Sequence, residues 1–288
     1  MGQGEKERRA AKRQPNPDLR PRVISGLVLI GLSVLFVWMG GFAYSAIICA
    51  IGAVLYYEWA RMTLLPTQAF SVRACAVLLF MAFLFVLFDR HVAALSIAGV
   101  GSFVLAFVVH RRLVANASLT RAKWAIAGLF YALLATISLI VVRSAPDGAG
   151  DFEGERGLTL MAFLLLTVWA TDIAAYFSGR RFGGPRLLPA VSPKKTWAGA
   201  IGGVAAAAFV GFAFGFGPTR FGVFAGVLLA MILSVVAQIG DLFESWVKRR
   251  YDVKDSSRLI PGHGGFMDRV DGLVAAAVPL ALYVAISG

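Results

Sequence analysis

The chain has 288 residues, of which 58% are hydrophobic and only 15% charged, with a mean hydropathy of +0.74. A soluble domain carries roughly 25% charged residues, so a soluble enzyme is excluded and a polytopic integral membrane protein is indicated. The formal net charge of +12 does not imply nucleic acid as a partner, because the basic residues are scattered between long apolar runs and no basic groove is interleaved with aromatics.

In chain order, residues 1–22 come first: a basic, proline-broken segment with no apolar period. It is expected to be a disordered cytoplasmic tail held near anionic membrane lipids by charge. The apolar run that follows is longer than a signal-peptide core of about 7–15 residues and reads as a first, uncleaved span. A spanning helix needs about 20 mostly apolar residues. Nine segments fit, near 23–40, 42–60, 72–89, 92–110, 124–142, 158–178, 197–216, 221–239 and 272–287, with eight to ten as the range. The predicted fold class is therefore all-α. Residues 23–142 form N-terminal transmembrane helices, and 143–288 form a C-terminal catalytic region with cytoplasmic loops 179–196 and 240–271. Cys49 and Cys75 lie within apolar runs without ligand-like spacing, which leaves out a disulfide framework and a zinc site.

Basic residues collect on cytoplasmic loops. An N-terminus inside puts Arg61, Arg73, Arg111, Arg112, Arg121, Lys123, Arg180, Arg181, Arg186, Lys194 and Lys195 on one side with all of 241–271. The largest loop on the other side, 145–157, is mainly acidic. Nine spans then leave the C-terminus outside.

Two loops carry the dense polar residues. Asp241, Glu244, Ser245 and Lys248 share one face if the eighth span continues as a helix, and Asp268 and Asp271 repeat the i, i+3 pairing where the last span begins. Four converging carboxylates would supply the hard oxygen ligands that magnesium (Mg2+) prefers. The cations nearby, Lys248, Arg249, Arg250, Lys254, Arg258 and Arg269, suit a polyphosphate. Gly264 and Gly265 would let backbone amides approach a phosphate. On spacing alone an ordinary mixed-charge loop reads equally well, and a lone histidine such as His263 is more often structural than catalytic. Asp172 lies inside an otherwise apolar span, where an acid costs roughly 2.5–3.5 kcal/mol on insertion scales unless paired or hydrated, so something polar must face it. Ser192, Lys194, Lys195 and Thr196 follow as a compact set of cations and hydroxyls. The two lysines also read as interfacial anchors.

The run SWVKRRYDVKDSSRLIPGHGGFMDRVD, 245–271, resembles the motif of the phosphatidate cytidylyltransferases, with counterparts at Ser245, Lys248, Arg249, Lys254, Asp255, Pro261, His263, Gly264, Gly265, Asp268, Arg269 and Asp271. DIAAY at 172–176 and SPKKTW at 192–197 resemble two further stretches of that family, so the likeness covers about 160–288. Family members usually carry Glu after that Trp, where this chain has Ala198. The resemblance implies a membrane enzyme that condenses CTP with phosphatidic acid, releasing pyrophosphate and forming CDP-diacylglycerol for phospholipid synthesis. It implies a bacterial inner membrane location with the site facing the cytoplasm, magnesium paired with a second cation, potassium (K+), and room for a homodimer. Asp241 and Asp268 correspond to the family's metal ligands, and Glu244 stands with them. Lys248, Arg249, Lys254 and Arg269 would neutralise the leaving group, while Asp172, Asp271 and His263 would orient or hydrate the site.

Three rivals remain. A membrane polyprenol or lipid kinase fits the general chemistry but not the whole of 245–271. A CDP-alcohol phosphotransferase would show an Asp-Gly-x-x-Ala-Arg string, which does not occur. A secondary transporter with an acidic ion pathway often shows inverted repeats, and no corresponding halves are found.

Overall fold

The computed structural model describes residues 19–63, 119–146, 155–216, 222–257, 259–260 and 264–287, with isolated positions between 77 and 111. Apart from those isolated positions, the candidate spans 72–89 and 92–110 lie outside the described residues, as do the tail 1–18 and His263. The described elements are α1 (Leu19–Met39), α2 (Gly41–Met62), α3 (Leu119–Arg143), α4 (Glu155–Phe182), β1 (Arg186–Leu188), β2 (Ser192–Thr196), α5 (Trp197–Gly215), α6 (Val223–Arg250) and α7 (Met267–Ser287). All the helices but α1 are long and apolar enough to cross a membrane, six in number among the described residues. This is the architecture of an integral membrane protein.

Four expectations are corrected. The predicted tail extends to residue 22, yet α1 begins at Leu19, because a proline such as Pro21 is tolerated in a helix's first turn, where its missing N–H has no partner to lose. The all-α expectation misses the antiparallel hairpin β1–β2. The predicted loop 179–196 starts too early, since α4 runs to Phe182. The predicted loop 240–271 is helical at both ends: α6 continues to Arg250 and α7 starts at Met267. At 1.5 Å per residue, the 28-residue helices α4 and α6 are about 42 Å long, against a hydrocarbon core of about 30 Å, so hydropathy alone ends them too soon.

Packing follows chain order on one side of the bundle, with α4 against α5 and α5 against α6, while α7 lies between α6 and α3, and α3 on α2. The close approach of α4 and α5 has a sequence cause. The buried residues of α5 are Gly199, Gly203, Ala207 and Gly211, a small residue every fourth position, which lets backbones touch. A Cβ on Gly199 would meet the Ala175 carbonyl oxygen at 2.9 Å, and one on Gly203 would meet Thr171 O at 3.0 Å. The seam between α4 and α6 is polar at one point, where Thr171 Oγ1 donates to Ser234 Oγ at 2.8 Å.

Two apolar clusters form the core. One gathers Tyr44, Leu160, Phe163, Leu164, Leu233 and Leu280. The other joins Leu55, Tyr56 and Trp59 of α2 to Leu129 and Leu133 of α3, Val247 of α6, and Met267 and Val274 of α7. Trp59 anchors it: its ring lies 5.5 Å from Tyr131 and 6.2 Å from Phe243, and its Nε1 donates to Trp124 O at 2.8 Å. This second cluster brings the end of α2, the start of α3, the end of α6 and the start of α7 together at one end of the bundle. At the opposite end, Arg156 Nη2 donates to Ser287 Oγ at 3.0 Å.

Candidate active site

The polar residues at that first end are positioned by how the helices stop and start. α4 ends because Gly183 and Gly184 take positive φ values of 61° and 87°, conformations that glycine adopts without a Cβ penalty. The hairpin then turns back, pairing Arg186 with Thr196 and Leu188 with Ser192. At its tip Val191 is buried, and its carbonyl accepts from Arg249 Nε at 3.4 Å, which ties the hairpin to the end of α6. Thr196 caps α5, its Oγ1 accepting from Gly199 N at 3.1 Å, one of the amides a helix start leaves unpaired.

Between α4, the hairpin, α5 and α6 lies a cavity of about 510 Å³ whose polar lining includes Asp172, Arg180, Lys194, Lys195, Thr196, Gln238 and Asp241. Lys195 and Asp241 form an ion pair across it, and Ser245 Oγ donates to Asp241 Oδ1 at 3.4 Å. The pair is still open to solvent, with side chains 29% and 35% exposed. Asp172 finds its polar surroundings here, on the cavity wall. Residues some seventy positions apart, 172 to 241, therefore share one chamber.

A second, tighter cluster lies one turn further along α6. Lys248 Nζ donates to Asp268 Oδ1 at 2.8 Å and stands 3.3 Å from Glu244 Oε1. The Asp268 carboxylate also accepts from Ser256 N at 3.0 Å, Ser256 Oγ at 3.1 Å and Gly265 N at 2.9 Å. Four donors thus surround a side chain only 7% exposed. Glu244 is buried against the carboxyls of Asp271 and Asp268. The Lys248 contact is within ion-pair range but outside hydrogen-bond geometry, so both Glu244 oxygens lack a hydrogen-bond partner. Asp271 Oδ1 accepts from Gly272 N at 2.8 Å.

The remaining predicted residues fall around these two clusters. Lys254, Arg249 and Arg269 are exposed at the same end. Ser192 sits at the start of β2 and is not part of the cavity lining. Gly264 has φ +87° and offers its carbonyl to Ile260 N at 2.9 Å. Gly265, read from sequence as a phosphate-facing amide, instead gives its N–H to Asp268.

Sequence reasoning missed Glu58. This α2 side chain is completely buried and accepts from Ser256 Oγ at 3.3 Å, Ser257 Oγ, Phe266 N at 2.9 Å and Met267 N at 2.6 Å. The signal that could have found it is the one used for Asp172, an acid inside an apolar span. Tyr131 was missed too; its buried hydroxyl lacks a hydrogen-bond partner and lies within electrostatic reach of Glu244 and Asp271.

Among the described residues no three His, Cys, Asp or Glu side chains converge closely enough to hold an ion by themselves. A magnesium site normally takes one or two carboxylates and completes its shell with water and substrate phosphates. An all-oxygen donor set in which Glu244 keeps two buried oxygens without donors fits that pattern. Asp241 and Asp268 are each held by a lysine, so either would exchange part of its shell to take up an ion.

Residues 20–287 match the profile of the Cytidylyltransferase family. The chain belongs to that family. It is similar to proteins named phosphatidate cytidylyltransferase. The one from Brucella suis is 41% identical over 269 residues, covering 93% of this chain and 94% of the relative. Those from Pseudomonas aeruginosa and Haemophilus influenzae are 34% and 33% identical, over 90% and 92% of this chain and 94% and 98% of theirs. The family match takes in α1, α2 and α3 as well as the C-terminal half, so the likeness extends well beyond 160–288, where the motifs lie.

Proposed function

We propose that the protein is a nucleotidyltransferase that joins CTP to phosphatidic acid, giving CDP-diacylglycerol and pyrophosphate. Family membership supports the reaction class, and one observation carries the assignment of the site: the cavity in which Asp172, Lys194, Lys195 and Asp241 come together, next to the Lys248–Asp268 pair. A nucleoside triphosphate needs cations for its phosphates, and both clusters supply lysine.

In the reaction, a phosphate oxygen of phosphatidate attacks the α-phosphorus of CTP. The bond from that phosphorus to the bridging oxygen breaks, and the electron pair leaves with pyrophosphate. The attacking oxygen is already anionic near neutral pH, so no strong general base is required. Lys195 and Lys194 bind and orient the triphosphate from the hairpin side. Lys248, with Arg249, Lys254 and Arg269 at the rim, offsets the charge that builds on the leaving group. Asp172 and Asp271 orient or hydrate the reacting groups. Magnesium would be held by Asp241 or Asp268, with Glu244 beside the latter and the rest of the shell supplied by water and substrate phosphates, and would supply charge neutralisation at the nucleotide phosphates.

Residues 143–288 form the catalytic region, 23–142 the N-terminal membrane region, and two spans within 72–110 complete nine. The polar end faces the cytoplasm of a bacterial inner membrane, which the concentration of Lys and Arg at that end supports. There a cytosolic nucleotide and a lipid headgroup meet.

The test is pyrophosphate release by the purified, detergent-solubilised protein given CTP, phosphatidic acid and magnesium, with each left out in turn. Release that needs all three is the expected result. Formation of a nucleoside diphosphate in place of pyrophosphate would point to a kinase and overturn the assignment.

A further inference from the structure

Glu58 lies in the last turn but one of α2, among apolar and aromatic neighbours, and no part of it reaches solvent. A buried carboxylate is unfavourable unless its oxygens are satisfied. Here Oε1 accepts from Ser257 Oγ and Phe266 N, and Oε2 from Met267 N, while the Ser256 hydroxyl divides its single proton between Oε2 and Asp268. Phe266 and Met267 carry amides at the start of α7, which have no partner inside the helix. A local N-cap side chain would ordinarily take them. Instead an acid 208 and 209 positions upstream does so, and its charge also suits the positive end of the helix dipole.

Ser256 links this anchor to the site. Its hydroxyl is 3.3 Å from Glu58 Oε2 and 3.1 Å from Asp268 Oδ2, and its amide bonds to Asp268 at 3.0 Å. Gly265 is pressed into the same space: a Cβ there would stand 2.9 Å from both Glu58 Oε1 and Ser257 N. The side-chain hydrogen bonds of Glu58 among the described residues all go to Ser256, Ser257, Phe266 and Met267, and it is not part of the cavity lining.

We propose that Glu58 is a positioning residue for the transfer reaction. It fixes Ser256 and the first turn of α7, and through them the direction of the Asp268 carboxylate, so that the N-terminal half of the chain sets the geometry of the C-terminal site. The effect on turnover rests on the reaction proposed above; the effect on the segment does not.

The experiment uses the full chain in detergent and the isosteric variant Glu58→Gln, which has one acceptor oxygen and sets an NH2 group against existing donors whichever way the amide turns. Two quantities are read: kcat and KM for CTP, and amide hydrogen exchange. The expected result is a fall in kcat of about tenfold or more, KM within about twofold, and faster exchange confined to residues 255–257 and 264–268. Wild-type kcat, a loss that merely follows the fraction of folded protein, or faster exchange spread over α2 and α3 would each overturn the proposal. If Glu58→Gln does not fold, Ser257→Ala decides. That variant removes one donor and keeps the carboxylate, so kcat should fall about threefold with the same confined exchange, and unchanged values of both would overturn the proposal. If the wild-type chain releases no pyrophosphate, the reaction is wrong, and exchange still decides whether Glu58 orders the segment.

Discussion

Asp241 and Asp268 each face a lysine, yet their surroundings are opposite. Asp241 shares an open cavity with Lys195, both about a third exposed, with one further contact from Ser245. Asp268 is enclosed with Lys248, at 7% and 13% exposure, under four donors drawn from Lys248 of α6, Ser256 and Gly265. An exposed ion pair contributes about 0–1 kcal/mol, so the Lys195–Asp241 pair can open for a ligand at little cost. Removing one partner of a buried pair costs roughly 3–5 kcal/mol. The Asp241 pair is therefore open to an incoming ligand, whereas Asp268 is held in one direction by its donors and would give up only part of that shell to an ion.

Four substitutions would break or sharpen that contrast. Asp268→Asn should have the largest effect, lowering pyrophosphate release by about 10³-fold or more while the protein still inserts in the membrane, and it should also lower the melting temperature in detergent. Wild-type turnover in this variant would remove Asp268 from the site. Asp241→Asn should lower turnover by about 10²-fold with an unchanged melting temperature; a parallel fall in stability would erase the distinction between open and closed clusters. Gly265→Ala forces a methyl group against Ser256, Ser257 and Glu58 and should destabilise the enclosed segment by about 1–3 kcal/mol, read as a lower melting temperature with activity lost in proportion. Lys254→Ala, at an exposed position, should change only the apparent KM for CTP, by about two- to threefold, and the change should shrink as salt is raised.

Much of the site was legible in the one-dimensional pattern. The i, i+3, i+4 and i+7 spacing of Asp241, Glu244, Ser245 and Lys248 predicts a shared face, and α6 does continue through them to Arg250. Asp172 was legible as an acid that needs polar company, and it lines the cavity that holds Lys195 and Asp241. The hairpin was not legible, because β1 has only three residues and β2 five, too short for a period to register. Nor was the destination of the Gly265 amide: glycine permits a close approach, but which group approaches is set by Asp268 three positions on.

The sequence alone determined a membrane-embedded helical chain, the position of most of its described helices and the two polar stretches proposed to carry the chemistry, because hydropathy and helical spacing are local properties. Only the tertiary structure decided how those stretches meet. It set Asp241 in an open chamber and Asp268 in a closed one, and it brought Glu58 across some two hundred residues to the start of α7. No local signal names the partner of a buried carboxylate; the partner is whichever unpaired donors the packing of α2, α3, α6 and α7 brings within reach.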